Sequence, residues 1–243
     1  KLSFKKKLSK EESMLSDTDP QVEGLSPLKP IGLNKKSKSV EKIIKKLINR
    51  ISNILSEEKN ANYVLLRGFS TFPKIPTFNE LYDIKSCSIT TYPMYKGIAA
   101  LVGMKPEIPK NQSIVSQVQA LSDSYNKYEF FYLHVKKTDS YGEDGNYKKK
   151  IQIIEEFDKV VPKIQKIGFD VITITGDHST PAKMKSHSWH PVPILINSKN
   201  SFYGNSQRFT EKECLKGTVG TLEAKNLLNI IFAHADMLNK FGA

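Results

Sequence analysis

KKKIQIIEEFDKVVPKIQKIGFDVITITGDHSTP, residues 148–181, is the stretch that decides the fold. Ile151, Ile154, Phe157, Val161 and Ile164 recur at a spacing that places them on one face of a helix over Lys148 to Lys166, with Gly168 as its stop. VITIT then reads as a buried strand, and Pro181 ends further strand pairing. Helix, strand and polar turn in that order form the unit of an α/β domain, and the same alternation continues outward. NYVLL (62–66), SCSIT (86–90) and EFFYLHV (129–135) upstream, and PVPILI (191–196) downstream, read as further buried strands. Another amphipathic helix runs from Val40 through Ile43, Ile44, Leu47, Ile48, Ile51, Ile54 and Leu55, with Ser39 placed to cap it. A last one follows Thr221 and carries Leu222, Leu227, Leu228, Ile231 and Leu238. The expected class is α/β, a mostly parallel sheet with helices on both faces.

The bulk numbers agree with a folded enzyme-sized chain. At 243 residues, 39% hydrophobic and 26% charged, it can bury a core and lies far from the composition of disorder. The formal charge of +12 brings polyanions and small anionic substrates to mind. Much of that excess sits in KKKLSK (5–10) and NKKSKSVEKIIKK (34–46), which read as solvated faces, and no nucleic-acid motif accompanies them. Small phosphorylated ligands remain compatible, and no nucleic-acid partner is expected. Cys87 and Cys214 lack any metal-type spacing and read as free thiols of a reducing compartment. No apolar run is long enough to span a bilayer and no secretion signal opens the chain, so the expected location is cytoplasmic, without a membrane partner. Lys1 to Asn34 mix charge, Pro and Gly without periodicity and read as a linker or insert.

In parallel sheets ligands bind beyond the carboxyl ends of the strands. Arg67, Thr138 with Asp139, and Asp177 with His178 are the polar groups that follow strand ends here. Glu143 stands four residues past Asp139, on the loop before a helix beginning after DGN, and His187 and His190 precede PVPILI. Oxygen and nitrogen donors spread over several strand ends suit one or two divalent ions, and two ions suit in-line phosphoryl displacement. A capping Asp beside a hydrogen-bonded His is the other reading of the Asp177–His178 pair, and spacing leaves both open.

Seven strings taken together go further: NYVLLRG, FPKIPTFNELY, YPMYKGIAALVGM, HVKKTDSYGEDGN, TGDHSTP, HSWHPVPILI and KECLKGTVG. From Ser16 onward their order and spacing resemble the archaeal-type, cofactor-independent phosphoglycerate mutases of the alkaline phosphatase superfamily. The resemblance implies an alkaline phosphatase-like core with part of an inserted smaller domain. Residues 1–60 would be the remnant of that insert and its linker, and 61–243 the C-terminal part of the metal-binding phosphotransferase domain. It implies interconversion of 3-phosphoglycerate and 2-phosphoglycerate in glycolysis, through a phosphoenzyme intermediate, with two divalent metal ions (Mn²⁺, Zn²⁺, Co²⁺ or Mg²⁺). Asp177 and His178 map to the ligands of one ion, Asp139 and His187 to those of the other. The family's usual TDxxGHDGN carries a His where this chain has Glu143, a harder ligand that puts the metal preference of that site in question.

SDTDP resembles the family's DTDP, so Asp17 and Asp19 map to acid/base work on the glycerate hydroxyls; an Asp-rich turn before Pro20 is the plainer reading. Arg67 and Lys96 map to binding of phosphate or carboxylate, while His190 has no fixed counterpart and reads as surface or outer shell. The family's N-terminal strand with its metal-binding Asp, and the serine or threonine nucleophile after it, have no match here, so activity of these residues alone is not expected. Another metal-dependent phosphatase or phosphotransferase of the same superfamily, or a non-catalytic fragment, is the alternative. Oligomeric state and native metal stay open.

Overall fold

The computed structural model describes residues 7–202, 204 and 206–238, so the first two lysines of the basic run at 5–10 lie outside the described residues. Contacts divide the chain into two compact units, Lys1–Ile75 and Pro76–Ala243.

In the first unit, α1 (Lys38–Ile54) is organised by Val40, Ile44 and Ile48, which fall four apart on one face and are buried. They close over Leu15, with Leu8, Leu47, Leu66 and Phe69 around them. The stripe is narrower than expected: Ile43 lies to one side of that line and Ile54 beyond its end, and both are exposed. The helix begins before Ser39. Ser37 takes the capping position, but its hydroxyl donates to the Asn34 carbonyl at 2.9 Å instead of binding into the first turn. Glu41, in that turn, accepts the Gly32 N–H from the preceding segment at 2.7 Å and pairs with Lys38 and Lys45. The bond from Lys45, then that from Gly32, hold its carboxyl down at about 2.

NYVLL is not a strand. Leu66 hydrogen-bonds to Thr18 through both its N–H, received by the Thr18 hydroxyl at 2.7 Å, and its carbonyl, which takes the Thr18 N–H at 2.8 Å. A hydroxyl thus fills a place where a ladder needs a backbone partner, and Tyr63 and Leu65 stay exposed.

The second unit opens with α2 (Phe78–Tyr82), whose Thr77 and Glu80 form a reciprocal capping box. It continues with β1 (Ser86–Thr90), α3 (Pro93–Leu101), β2 (Lys105–Pro106), α4 (Ile114–Ser124) and β3 (Phe130–His134). These strands form a parallel sheet in the order β2-β1-β3, with Cys87 of β1 facing Phe131 of β3. β1 is wholly buried, and α3 and α4 pack against it. Both cysteines are free; burial, with Glu107 nearby, pushes the Cys87 thiol up to about 12, so at neutral pH it is a packing group. α4 is not among the helices expected from the sequence, although Ile114, Val118 and Leu121 mark its buried face and the Ser113 hydroxyl accepts the Ser116 N–H.

After β3 come α5 (Lys137–Glu143), α6 (Tyr147–Asp158), α7 (Val161–Ile167) and β4 (Val171–Thr175). The single helix expected over Lys148 to Lys166 is therefore two. Pro162 lacks an N–H and its ring would strike the carbonyl four residues back, so the chain restarts with that proline in the first turn of α7. The break rotates the faces: Ile153, Val160 and Ile164 enter the core while Ile151 and Ile154 are exposed. Gly168 ends α7 with φ 97°, a left-handed cap. β5 (Ile194–Ser198) starts later than PVPILI suggested and pairs antiparallel with β4, Thr173 opposite Ile196. The chain closes with α8 (Glu211–Cys214) and α9 (Leu227–His234), a helix shorter than the one expected from Thr221. The fold is mixed α/β, with a parallel sheet and packed helices. Among the described residues no helix is long and apolar enough to cross a membrane.

Candidate metal centre

The centre lies where β3 and β4 end. β3 runs into α5, which carries Asp139 in its first turn and Glu143 as its last residue. Both are thus helical, four apart on one face, rather than at a strand end and on a loop as expected; the chain does not turn until Gly145, with φ 69°. β4 ends at Thr175, and Asp177 and His178 follow at once. A bridge between Ser179 and Ser188, with the Ser188 N–H donating to the Ser179 carbonyl at 2.9 Å, folds the loop back on itself. That fold lays the His178 and His187 rings 3.8 Å apart.

Asp139 is the hub. His187 Nε2 lies 3.6 Å and His178 Nδ1 3.8 Å from its Oδ1. Thr180 donates to the same oxygen, and Lys136 donates to Oδ2. Burial works to raise this carboxyl, but the bonds from Lys136 and Thr180 outweigh it and leave it below the ordinary range. Glu143 stands at the rim, its side chain 48% exposed, 3.6 Å from His187 Nε2 and 3.9 Å from Lys136 Nζ.

Asp139, His178 and His187 each offer a ligand atom within 4.8 Å of the others. One carboxylate oxygen and two imidazole nitrogens are a donor set for a divalent transition metal, and separations of 3.6 and 3.8 Å suit two ligands about 2.1 Å from a shared ion. These residues fit a metal. His178 also reaches the other way, its Nε2 lying 3.4 Å from Asp177 Oδ2. Asp177 accepts a hydrogen bond from the Tyr95 hydroxyl; burial works to raise its carboxyl, but this bond and His178 outweigh it and leave it below its ordinary range.

Lys96 follows Tyr95 on α3. His190 is exposed, stacked on Trp189 and bonded to Ser188. Asp17, Asp19 and Arg67 belong to the first unit, where SDTDP and LLRG meet. Asp17 accepts the Gly68 N–H at 2.9 Å, and Asp19 pairs with Arg67 at 3.3 Å.

Thr180, Lys136 and Tyr95 also touch the centre and were not among the residues expected from the sequence. Thr180 and Lys136 lie inside TGDHSTP and HVKKTDSYGEDGN, beside His178 and Asp139, where their hydrogen-bond donors are the signal. Tyr95 reaches Asp177 across 82 residues, and nothing local announces it.

The profile of the metalloenzyme superfamily matches residues 33–234. The chain belongs to that superfamily. Among its curated relatives, a probable 2,3-bisphosphoglycerate-independent phosphoglycerate mutase of Aquifex aeolicus is 48% identical over 240 residues, 99% of this chain and 59% of its own length. A protein of the same name from Thermotoga maritima is 46% identical over 229 residues, 94% and 57%. The chain thus spans less than three-fifths of the length of these curated relatives. Of solved structures, a Pyrococcus horikoshii protein superposes with a TM-score of 0.77 at 29% identity, over 86% of this chain and 60% of that one. The cofactor-independent phosphoglycerate mutase of Thermoplasma acidophilum gives 0.56 at 22% identity, over 91% and 58%, a likeness of fold alone.

Proposed function

We propose that the protein interconverts 3-phosphoglycerate and 2-phosphoglycerate through a phosphoenzyme, with two divalent ions, as a cytoplasmic enzyme of glycolysis. The gathering of Asp139, His178 and His187 carries this reading, in a chain whose relatives bear the mutase name at 48% and 46% identity. Residues 61–243 act as part of the metal-binding domain and 1–60 as part of an inserted one. Asp139 and His187, with Glu143 at the rim, hold one ion; Asp177 and His178 hold the other, His178 lying between the two sets. When bound, such ions neutralise charge on the transferring phosphoryl oxygens.

The protein's own side chains do the rest. Arg67 forks onto the substrate phosphate or carboxylate, oriented by Asp19, and Lys96 adds a point charge. Asp17 and Asp19 exchange protons with the glycerate hydroxyls. The phosphoryl group leaves one glycerate oxygen for an enzyme oxygen as that glycerate oxygen gains a proton, and the reverse exchange at the neighbouring hydroxyl gives the isomer. In this reading the accepting oxygen belongs to the length of the relatives that these 243 residues do not span.

In the intact protein, an assay from 3-phosphoglycerate is expected to show turnover that chelation removes and a divalent ion restores, while these 243 residues alone convert none. Phosphate release without isomerisation, or full turnover under chelation, would sink the proposal. Glu143→His is expected to move metal preference toward Zn²⁺ and Co²⁺ and away from Mg²⁺ without loss of fold, since an imidazole is the softer donor. Activity across a titration of the ions reads this, and identical profiles would show that Glu143 is no ligand.

A further inference from the structure

We propose that Tyr95 is a positioning residue that fixes the Asp177 carboxylate for metal binding. The inference rests on the metal-centre part of the reading above and on nothing about the substrate. Asp177 sits on a loop with its side chain 45% exposed, and an Asp so placed is free to turn about its last torsion. Here both oxygens are engaged. Oδ1 accepts the His178 N–H at 3.0 Å, and Oδ2 accepts the Tyr95 hydroxyl, so rotation of the group is stopped from both ends.

Tyr95 can hold that oxygen because its ring is itself held. It stacks on His134 with centroids 3.8 Å apart and planes 22° apart. His134 ends β3, its Nδ1 lying 3.3 Å from the hydroxyl of Thr90, which ends β1. Gln117, 2% exposed, donates to the His134 carbonyl at 2.8 Å. The carboxylate is thereby tied through one ring to the ends of β3 and β1, while the loop that bears it belongs to the β4–β5 pair. Partners that orient a ligand in this way are commonly worth tenfold to a hundredfold in affinity.

The test is Tyr95→Phe in the intact protein, which keeps the stacked ring and removes the hydroxyl, with Tyr125→Phe as control. The Tyr125 hydroxyl donates to the Gly168 carbonyl at 2.9 Å, away from the centre. Calorimetric titration with Co²⁺ is expected to show affinity about tenfold lower or worse for Tyr95→Phe, a changed visible cobalt spectrum, and no change for the control. In an Asp177→Asn background the Tyr95 substitution should cost nothing further, since its effect runs through that carboxylate. Unchanged affinity and spectrum in Tyr95→Phe, or losses that add in the double variant, overturn the role of Tyr95 while leaving the metal centre standing. Failure of the unaltered protein to bind cobalt overturns the centre and this inference together.

Discussion

Asp139→Asn is expected to lower affinity for a divalent ion by about a hundredfold or more, beyond the tenfold to hundredfold range usual for outer partners. The side chain keeps its shape but loses the charge on which the cluster converges. Both histidines face Oδ1, at 3.6 and 3.8 Å, and Lys136 and Thr180 donate to the same carboxylate. Stability should fall as well, because Lys136, its side chain 20% exposed, loses its closest anionic partner and is left with Glu143 at 3.9 Å and the Tyr92 ring at 5.2 Å. A hydrogen bond to a charged group is worth about 1.5–3 kcal/mol. His187→Ala separates the two effects. The His187 side chain is 56% exposed, so its loss should weaken metal binding with little change in the denaturation midpoint. Equal metal affinity in Asp139→Asn and the unaltered protein would remove Asp139 from the centre.

Gly142→Ala is expected to damage both fold and centre. A Cβ on Gly142 would lie 2.3 Å from the Thr180 carbonyl oxygen, 2.9 Å from its Cγ2 and 3.1 Å from Lys150 Nζ. The nearest of these is backbone, and that carbonyl is already held by Lys150 at 2.6 Å, so the loop cannot simply step aside. Overpacking of this kind costs about 1–3 kcal/mol. The larger consequence is geometric: α5 carries Asp139 and Glu143 and the loop carries His178 and Thr180, so prising them apart pulls His178 away from Asp139. Denaturant midpoint and metal affinity should fall together. Gly97→Ala is the comparison, since nothing lies within 4 Å of a Cβ there, and in the middle of α3 it should stabilise by about 0.5–1 kcal/mol. An alanine at 142 that leaves both measurements unchanged would mean α5 is not packed as described.

The sequence made some of this legible and not the rest. SCSIT, EFFYLHV and DVITIT could be read as β1, β3 and β4 because each is a short apolar run between turn-forming residues. NYVLL has the same composition, yet a strand exists only where another strand bonds to it, and Leu66 found Thr18. Periodicity alone also ran through Pro162, where a missing N–H outranks the apolar spacing. In the centre, Asp139, His178 and His187 drew attention by standing next to apolar runs. Which of them meet was not readable, because pairing depends on the Ser179–Ser188 bridge and on Gly142 admitting the loop. Tyr95 was invisible for the same reason, as one aromatic in a helix whose partner lies on a distant strand end.

The meeting of Thr18 with Leu66 also bears on how the first unit breathes. Two backbone groups 48 residues apart are joined there, and Thr18 is fully buried. Closing a flexible loop of that length costs about 3 kcal/mol in chain entropy, which the packing of α1 over Leu15 and Leu66 must offset. The bond from the Gly68 N–H to Asp17 and the Asp19–Arg67 pair join the same two segments on either side of it, so the whole contact parts together. Deuterium uptake at the Leu66 and Thr18 amides therefore follows a single opening event of the whole loop, not the fraying of either segment alone, and the two amides act as one clock for the unit.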